Sequence, residues 1–114
     1  MRRVVITGLG LVTPLAASVN GSWNKLINSE SGIGKIEGFD TDDLPAKIAG
    51  HVPKADQEDG FDPSRCLEVK EQRKVDRFIA FAIDAADQAI KDSKWIAEND
   101  TDSYRSGVLI GSGI

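Results

Sequence analysis

Few side chains in this sequence could do covalent chemistry, and they are not grouped. Cys66 is the only cysteine and His51 the only histidine. Cys66 lies in Ser64-Arg65-Cys66-Leu67-Glu68, beside a cation that could lower its pKa, but no strand-turn-helix elbow presents it. It reads as a packed thiol. His51, between Gly50 and Val52 with no acidic or nucleophilic companion nearby, reads as a structural residue. No nucleophile-base pair can be assembled, so no catalytic residue is assigned. One His and one Cys cannot build a four-ligand zinc site, and Asp56, Glu58, Asp59 and Asp62 stand at the irregular spacing of a solvated loop. No metal and no cofactor are expected.

Binding chemistry is better represented. Lys70, Arg73, Lys74 and Arg77 recur at i, i+3, i+4 and i+7, which puts four cations on one side of a helix or of its first turn. Such a stripe is commonly a solvated face. Here the rest of the chain is acidic, and cations at a helix start oppose its dipole, so stability alone does not account for them. Glu71 and Asp76 offset part of that cost. The stripe is expected to dock an acidic partner or a phosphate. Gly8-Leu9-Gly10 after an apolar run also resembles the start of a dinucleotide-binding turn. The third glycine is missing, Thr13 and Pro14 occupy its region, the helix cap is deferred to Ser18, and Glu30 lies past a helix. A nucleotide-binding half-domain is kept as an alternative, as is a nonenzymatic docking module for an acidic partner.

These groups must be positioned by a small α/β framework. Arg3-Val4-Val5-Ile6-Thr7-Gly8-Leu9-Gly10 reads as a strand covered on both faces, and Gly107-Val108-Leu109-Ile110-Gly111-Ser112-Gly113 as its counterpart. With helical sequence between them, the two are expected to be parallel neighbours whose glycine turns let backbone approach a ligand. A helix from about Val19 to Asn28 is capped by Ser18. Ile33, Ile36 and Phe39 are expected to point inward, and Ala46 to Val52 to form a short edge strand bounded by Pro45 and Pro53. Pro53 to Pro63 reads as a surface loop. Val75, Phe78, Ile79, Ala82, Ile83, Ala86, Ala89 and Ile90 form one apolar helical face, with Ala80 and Ala85 letting another element pack close. Trp95 to Ala97 should hold the helix exit, and Glu98 to Ser106 reads as a polar connection.

Composition narrows the function classes. At 114 residues, 40% hydrophobic and 28% charged, the chain is one domain or part of one, and its net charge of −4 argues against a nucleic-acid partner. A single cysteine permits no internal disulfide and fits a reducing compartment. Met1-Arg2-Arg3, the apolar run and Leu15-Ala16-Ala17 imitate a secretory signal, but Thr7, Gly8, Gly10, Thr13 and Pro14 interrupt it. No stretch reaches the ~20 apolar residues of a membrane span. A soluble, cytoplasmic protein without a membrane partner is expected.

Three stretches together resemble the amino-terminal part of the β-ketoacyl-acyl carrier protein synthases, most closely the type II condensing enzyme of bacterial fatty-acid synthesis. They are Arg3 to Gly10, then Lys70-Glu71-Gln72-Arg73-Lys74-Val75-Asp76, then Ile110-Gly111-Ser112-Gly113-Ile114; Ser31-Gly32-Ile33 and Phe39-Asp40 fall in the same order. The resemblance implies an α/β, thiolase-like fold with a parallel-rich central sheet flanked by helices, incomplete as given. Residues 1–114 would be the amino-terminal portion of its first half, with no complete second domain. It further implies an acyltransferase that condenses an acyl chain with malonyl-acyl carrier protein, with decarboxylation, and acts as a homodimer. The family's catalytic cysteine and two histidines would lie beyond this chain, and neither Cys66 nor His51 sits in a matching motif. By the same resemblance Lys70, Arg73 and Lys74 receive the acidic carrier protein, and Ile114 lines and gates the acyl pocket. The 114-residue chain alone is expected to be an inactive piece of that enzyme.

Overall fold

A computed structural model describes residues 1–112. Along the chain come α1 (Val19–Ile27), β1 (Ile33–Lys35), β2 (Ile48–Gly50), a 3-10 turn (Pro63–Arg65), α2 (Val69–Gln72), α3 (Arg77–Ser93) and α4 (Asp100–Arg105). The helices with local start and stop signals fall where the sequence puts them. The Ser18 hydroxyl accepts the Gly21 N–H at 3.1 Å and opens α1, which ends at Ser29 with φ 60°. Lys94 closes α3 in the left-handed conformation at φ 54°. α4 lies inside the stretch read as a polar connection: Asn99 Oδ1 accepts the Asp102 N–H at 3.0 Å, capping a helix that has no apolar stripe to announce it.

The sheet differs from the expected one. Among the described residues it has two antiparallel strands, β1 and β2, paired Ile33 to Gly50, Gly34 to Ala49 and Lys35 to Ile48. Neither 3–10 nor 107–112 is a strand, and Val4 (95% accessible) and Leu109 (98%) are fully exposed. A strand needs a neighbour's N–H and C=O groups, and no described segment offers either run a ladder. Only where the first run ends do backbone groups, those of Leu9 and Leu11, meet side chains of α3. The Leu9 N–H donates to Asp92 Oδ2 at 2.9 Å, the Leu11 N–H to Gln88 Oε1 at 3.3 Å, and Gln88 Nε2 donates to the Leu11 carbonyl at 3.2 Å.

Gly8 and Gly10 make that approach possible. A Cβ on Gly10 would overlap the Ala85 carbonyl, and one on Gly8 the Ala89 carbonyl. What these glycines let the chain approach closely is the backbone of α3, and the small surface at Ala85 is used as expected. α3 is buried most deeply off the apolar face that its periodicity marks, although Ile79, Ala82, Ala86 and Ala89 of that face are half-buried. Ala80 and Asp84 are buried and Phe81, Ala85 and Gln88 half-buried, whereas Phe78, Ile83 and Ile90 are exposed. Ile33, Phe39, Trp95 and Ile96 are exposed too, against expectation.

What is buried is small. Ala17, Phe61 and Ala80 form the centre, with Val12, Val52, Cys66, Leu67 and Phe81 packed around them, and the Phe61 and Phe81 rings meet edge to face at 4.8 Å. Phe61 comes from the loop read as surface. The radius of gyration, 17.0 Å, exceeds the roughly 13 Å of a compact domain this long, which fits a chain that leaves most of its large aliphatic residues uncovered. Gly10→Ala should cost about 1–3 kcal/mol or more in urea denaturation, because helix backbone blocks the added methyl. Gly34→Ala, with open space around it, should stay within about 0.5 kcal/mol of wild type.

Candidate functional site

The cationic stretch is built on a broken helix. α2 opens at Glu68, whose N–H donates to Glu71 Oε2 at 3.3 Å while its carbonyl accepts the Gln72 N–H at 3.0 Å. It lasts one turn. Arg73 is its C-cap, Lys74 and Val75 form the link, and Asp76 is extended at φ −74°, ψ 159° before α3 restarts at Arg77. The four cations therefore do not share one continuous helical face, which corrects the single stripe inferred from their spacing. Asp76 marks the restart: its backbone is extended and its carbonyl accepts the Ile79 N–H at 3.1 Å and the Ala80 N–H at 3.3 Å, without a hydrogen bond from its side chain to the helix.

All four cations are exposed, and none forms an ion pair within 4.0 Å among the described residues. Glu71, the nearest acid in sequence to both Lys70 and Arg73, is committed to the Glu68 N–H. Lys70 is the second residue of the one-turn α2 and Arg73 its C-cap, and Arg77 opens α3, where its charge stands against the helix dipole. Its guanidinium lies 5.4 Å from the centre of the Phe81 ring, which gives that charge a compensating face. The arrangement is a ridge of uncompensated positive charge on an acidic chain, able to attract carboxylates or phosphates. Lys54, close to Arg77 across a groove, belongs to the same positive surface. Nothing in its local sequence marks it, because the loop 53–61 that carries it meets α3 only in the folded chain.

The remaining candidates are scattered. His51 is exposed and follows β2, which is shorter than the expected strand of 46–52. Cys66 ends the 3-10 turn, half-buried, its thiol 3.6 Å from the carbonyls of Pro63 and Ala80. Burial pushes the thiol pKa up, the Asp84 carboxylate adds to that, and Arg65 only partly opposes it. This is the reverse of an activated nucleophile. Asp62 caps the same turn. Hydrogen bonds from the Ser64 hydroxyl and N–H, the latter 2.9 Å long, hold its carboxyl below the usual range. Among the described residues no three His, Cys, Asp or Glu side chains are grouped to hold a metal. Ile114 lies outside the described residues. Alkylation of Cys66 by iodoacetamide, followed by peptide mapping, should be slower in native than in urea-unfolded protein at pH 8, with its pH midpoint displaced upward; equal rates would contradict the packing described.

Similarity to known proteins runs the length of the chain. It is 50% identical over 115 aligned residues to the 3-oxoacyl-[acyl-carrier-protein] synthase 2 of Rhizobium meliloti (strain 1021), covering 100% of this chain and 27% of that protein. It is 44% identical to the protein of the same name from Coxiella burnetii, covering 99% of this chain and 26% of that one. A putative mitochondrial 3-oxoacyl-[acyl-carrier-protein] synthase of Schizosaccharomyces pombe is 36% identical over 100% of this chain and 27% of its own length. The chain thus spans about a quarter of the length of the curated relatives it matches. A family model described as the N-terminal domain of β-ketoacyl synthase matches residues 1–114, and the chain belongs to that family.

Proposed function

We propose that this chain is the amino-terminal portion of the first thiolase-like half of a condensing enzyme that elongates fatty acyl chains. In the full-length protein an acyl group held as an enzyme thioester is attacked by the α-carbon of malonyl-acyl carrier protein. The carbon-carbon bond forms as the carboxylate leaves as carbon dioxide and the enzyme sulfur is released, giving a 3-oxoacyl-acyl carrier protein. Identity of 50% over the whole chain to a synthase of that name supports this reading most strongly. The acyl-accepting cysteine, the oxyanion amides and the two histidines are contributed by later sequence. Ile114 borders the acyl chain. Residues 3–10 and 107–113 become parallel neighbours in the larger sheet, where both apolar runs find ladder partners. The enzyme is a cytoplasmic homodimer; among the described residues no helix is long and apolar enough to cross a membrane.

Within that enzyme, Lys70, Arg73 and Lys74 receive the carrier protein. Their exposure and freedom from ion pairs support the role, since cations already paired would have to be released first. The positive ridge would speed encounter with an acidic carrier more than it would raise final affinity. In the full-length protein, Lys70→Glu, Arg73→Glu and Lys74→Glu together should lower kcat/KM for malonyl-acyl carrier protein by about tenfold or more, with the difference shrinking as salt rises. Turnover of malonyl-pantetheine, which carries no acidic protein, should change little. Unaltered kinetics with the protein-bound substrate would remove these residues from the docking role.

A further inference from the structure

Beside the ridge runs a groove of about 440 Å³, between the loop 53–61 and the joint linking α2 to α3. Phe61, Leu67, Val75 and Ala80 give it an apolar floor, and Lys54 and Arg77 stand on its rim. Resting on the docking reading above, we infer that this groove takes an apolar side chain of the acidic carrier protein whose carboxylates meet the ridge. Recognition then has two parts: charge on Lys70, Arg73 and Lys74, and an apolar anchor flanked by Lys54 and Arg77.

The floor is formed before any partner arrives. Phe61 and Ala80 belong to the buried centre, and Phe81 braces Phe61 edge-on. The wall at α2 is tied by Gln72 Nε2, which donates to the Leu67 carbonyl at 2.9 Å. Groove and ridge are continuous, because Val75 follows Lys74 directly and Arg77 opens α3 two residues later. The rim cations are available. Lys54 meets Glu37 at 3.7 Å in an exposed pair of the kind that contributes little, and Arg77, 5.4 Å from the centre of the Phe81 ring, forms no ion pair within 4.0 Å among the described residues. A bare phosphate does not match this surface, since an apolar floor would desolvate it without donating a hydrogen bond. A neutral apolar ligand would leave the two rim cations unused. An acidic protein segment presenting one aliphatic side chain satisfies both, and the volume suits one or two such side chains.

The test uses the full-length protein and holo-acyl carrier protein. Methyl resonances of Leu67 and Val75 should shift on saturation with carrier, and unmoved resonances would show that the groove stays empty in the complex. Val75→Ser should weaken Kd by about fivefold equally at about 50 and 300 mM salt, because an apolar contact is not screened. Arg77→Glu should weaken it about tenfold at the lower salt and less at the higher. If Val75→Ser lowers helicity by circular dichroism, Val75→Ala and the wild-type methyl shifts carry the test. Loss of binding in the Lys70, Arg73 and Lys74 reversal, with wild-type affinity in Val75→Ser and Arg77→Glu, overturns the groove alone. Wild-type binding by the triple reversal overturns the docking reading, and the groove proposal with it.

Discussion

One buried carboxylate ties the long helix to the loops packed on it. Asp84, 2% exposed in the middle of α3, lies 3.6 Å from Arg65 Nε and accepts from Gln88 Nε2 at 2.8 Å. A charge so far from water has to be compensated, and both compensating groups also bind one further atom. Arg65 Nη1 donates to the Ala17 carbonyl at 3.3 Å, and Gln88 Nε2 donates to it at 3.1 Å. Three segments distant in sequence are thereby joined: the loop after the first apolar run, the 3-10 turn, and the long helix. Arg65 keeps part of its side chain in solvent, so the pair is not fully desolvated and its strength lies in the network rather than in one Coulombic contact. Because the 3-10 turn leads straight into α2, the same network sets where the cationic ridge stands relative to α3.

That network explains which side of α3 is used. A helix normally buries its apolar stripe, yet here Asp84, Gln88 and Asp92 accept or donate to loop groups while Phe78, Ile83 and Ile90 face solvent. The glycine contacts at Ala85 and Ala89 reinforce the choice, since only a bare backbone lies that near a helix. α3 therefore has one side closed by polar ties and small residues, and a second side carrying unpartnered aliphatic groups. In a longer polypeptide of the family, both sides of such a helix can be covered at once.

What could be read in advance follows the range of the interactions concerned. α1 and α3 were legible because Ser18, the spacing of apolar residues and the C-terminal lysines act within a few positions. α4 carried only the Asn99 cap, and without an apolar face that signal was too short to stand alone. The sheet was not legible, because a strand is defined by its neighbour and Val4 to Ile6 have none among the described residues. Phe61 and the Arg65–Asp84 pair were hidden for a related reason. Phe61 lies in a run of acids and glycine, and a charge at 84 breaks an apolar pattern unless its partner 19 positions earlier is known. At the candidate site, residue types and exposure were legible while geometry was not: Asp76 splits the helix that the four cations' spacing implies.

The split bears on how the ridge would work. A continuous helix would place Lys70, Arg73, Lys74 and Arg77 along one line with their charges near the positive end of its dipole, an arrangement its own field opposes. The joint places Arg73 at the C-terminal end of a separate turn, where the dipole favours it, and leaves Arg77 at the start of α3, beside the Phe81 ring. The groove that Val75 helps to line lies at the same joint. Long-range charge raises the rate of encounter and weakens with salt, whereas an apolar anchor acts only at contact and slows departure. At this joint the two lie side by side, so a long-range attraction that salt weakens adjoins an apolar surface that acts only at contact.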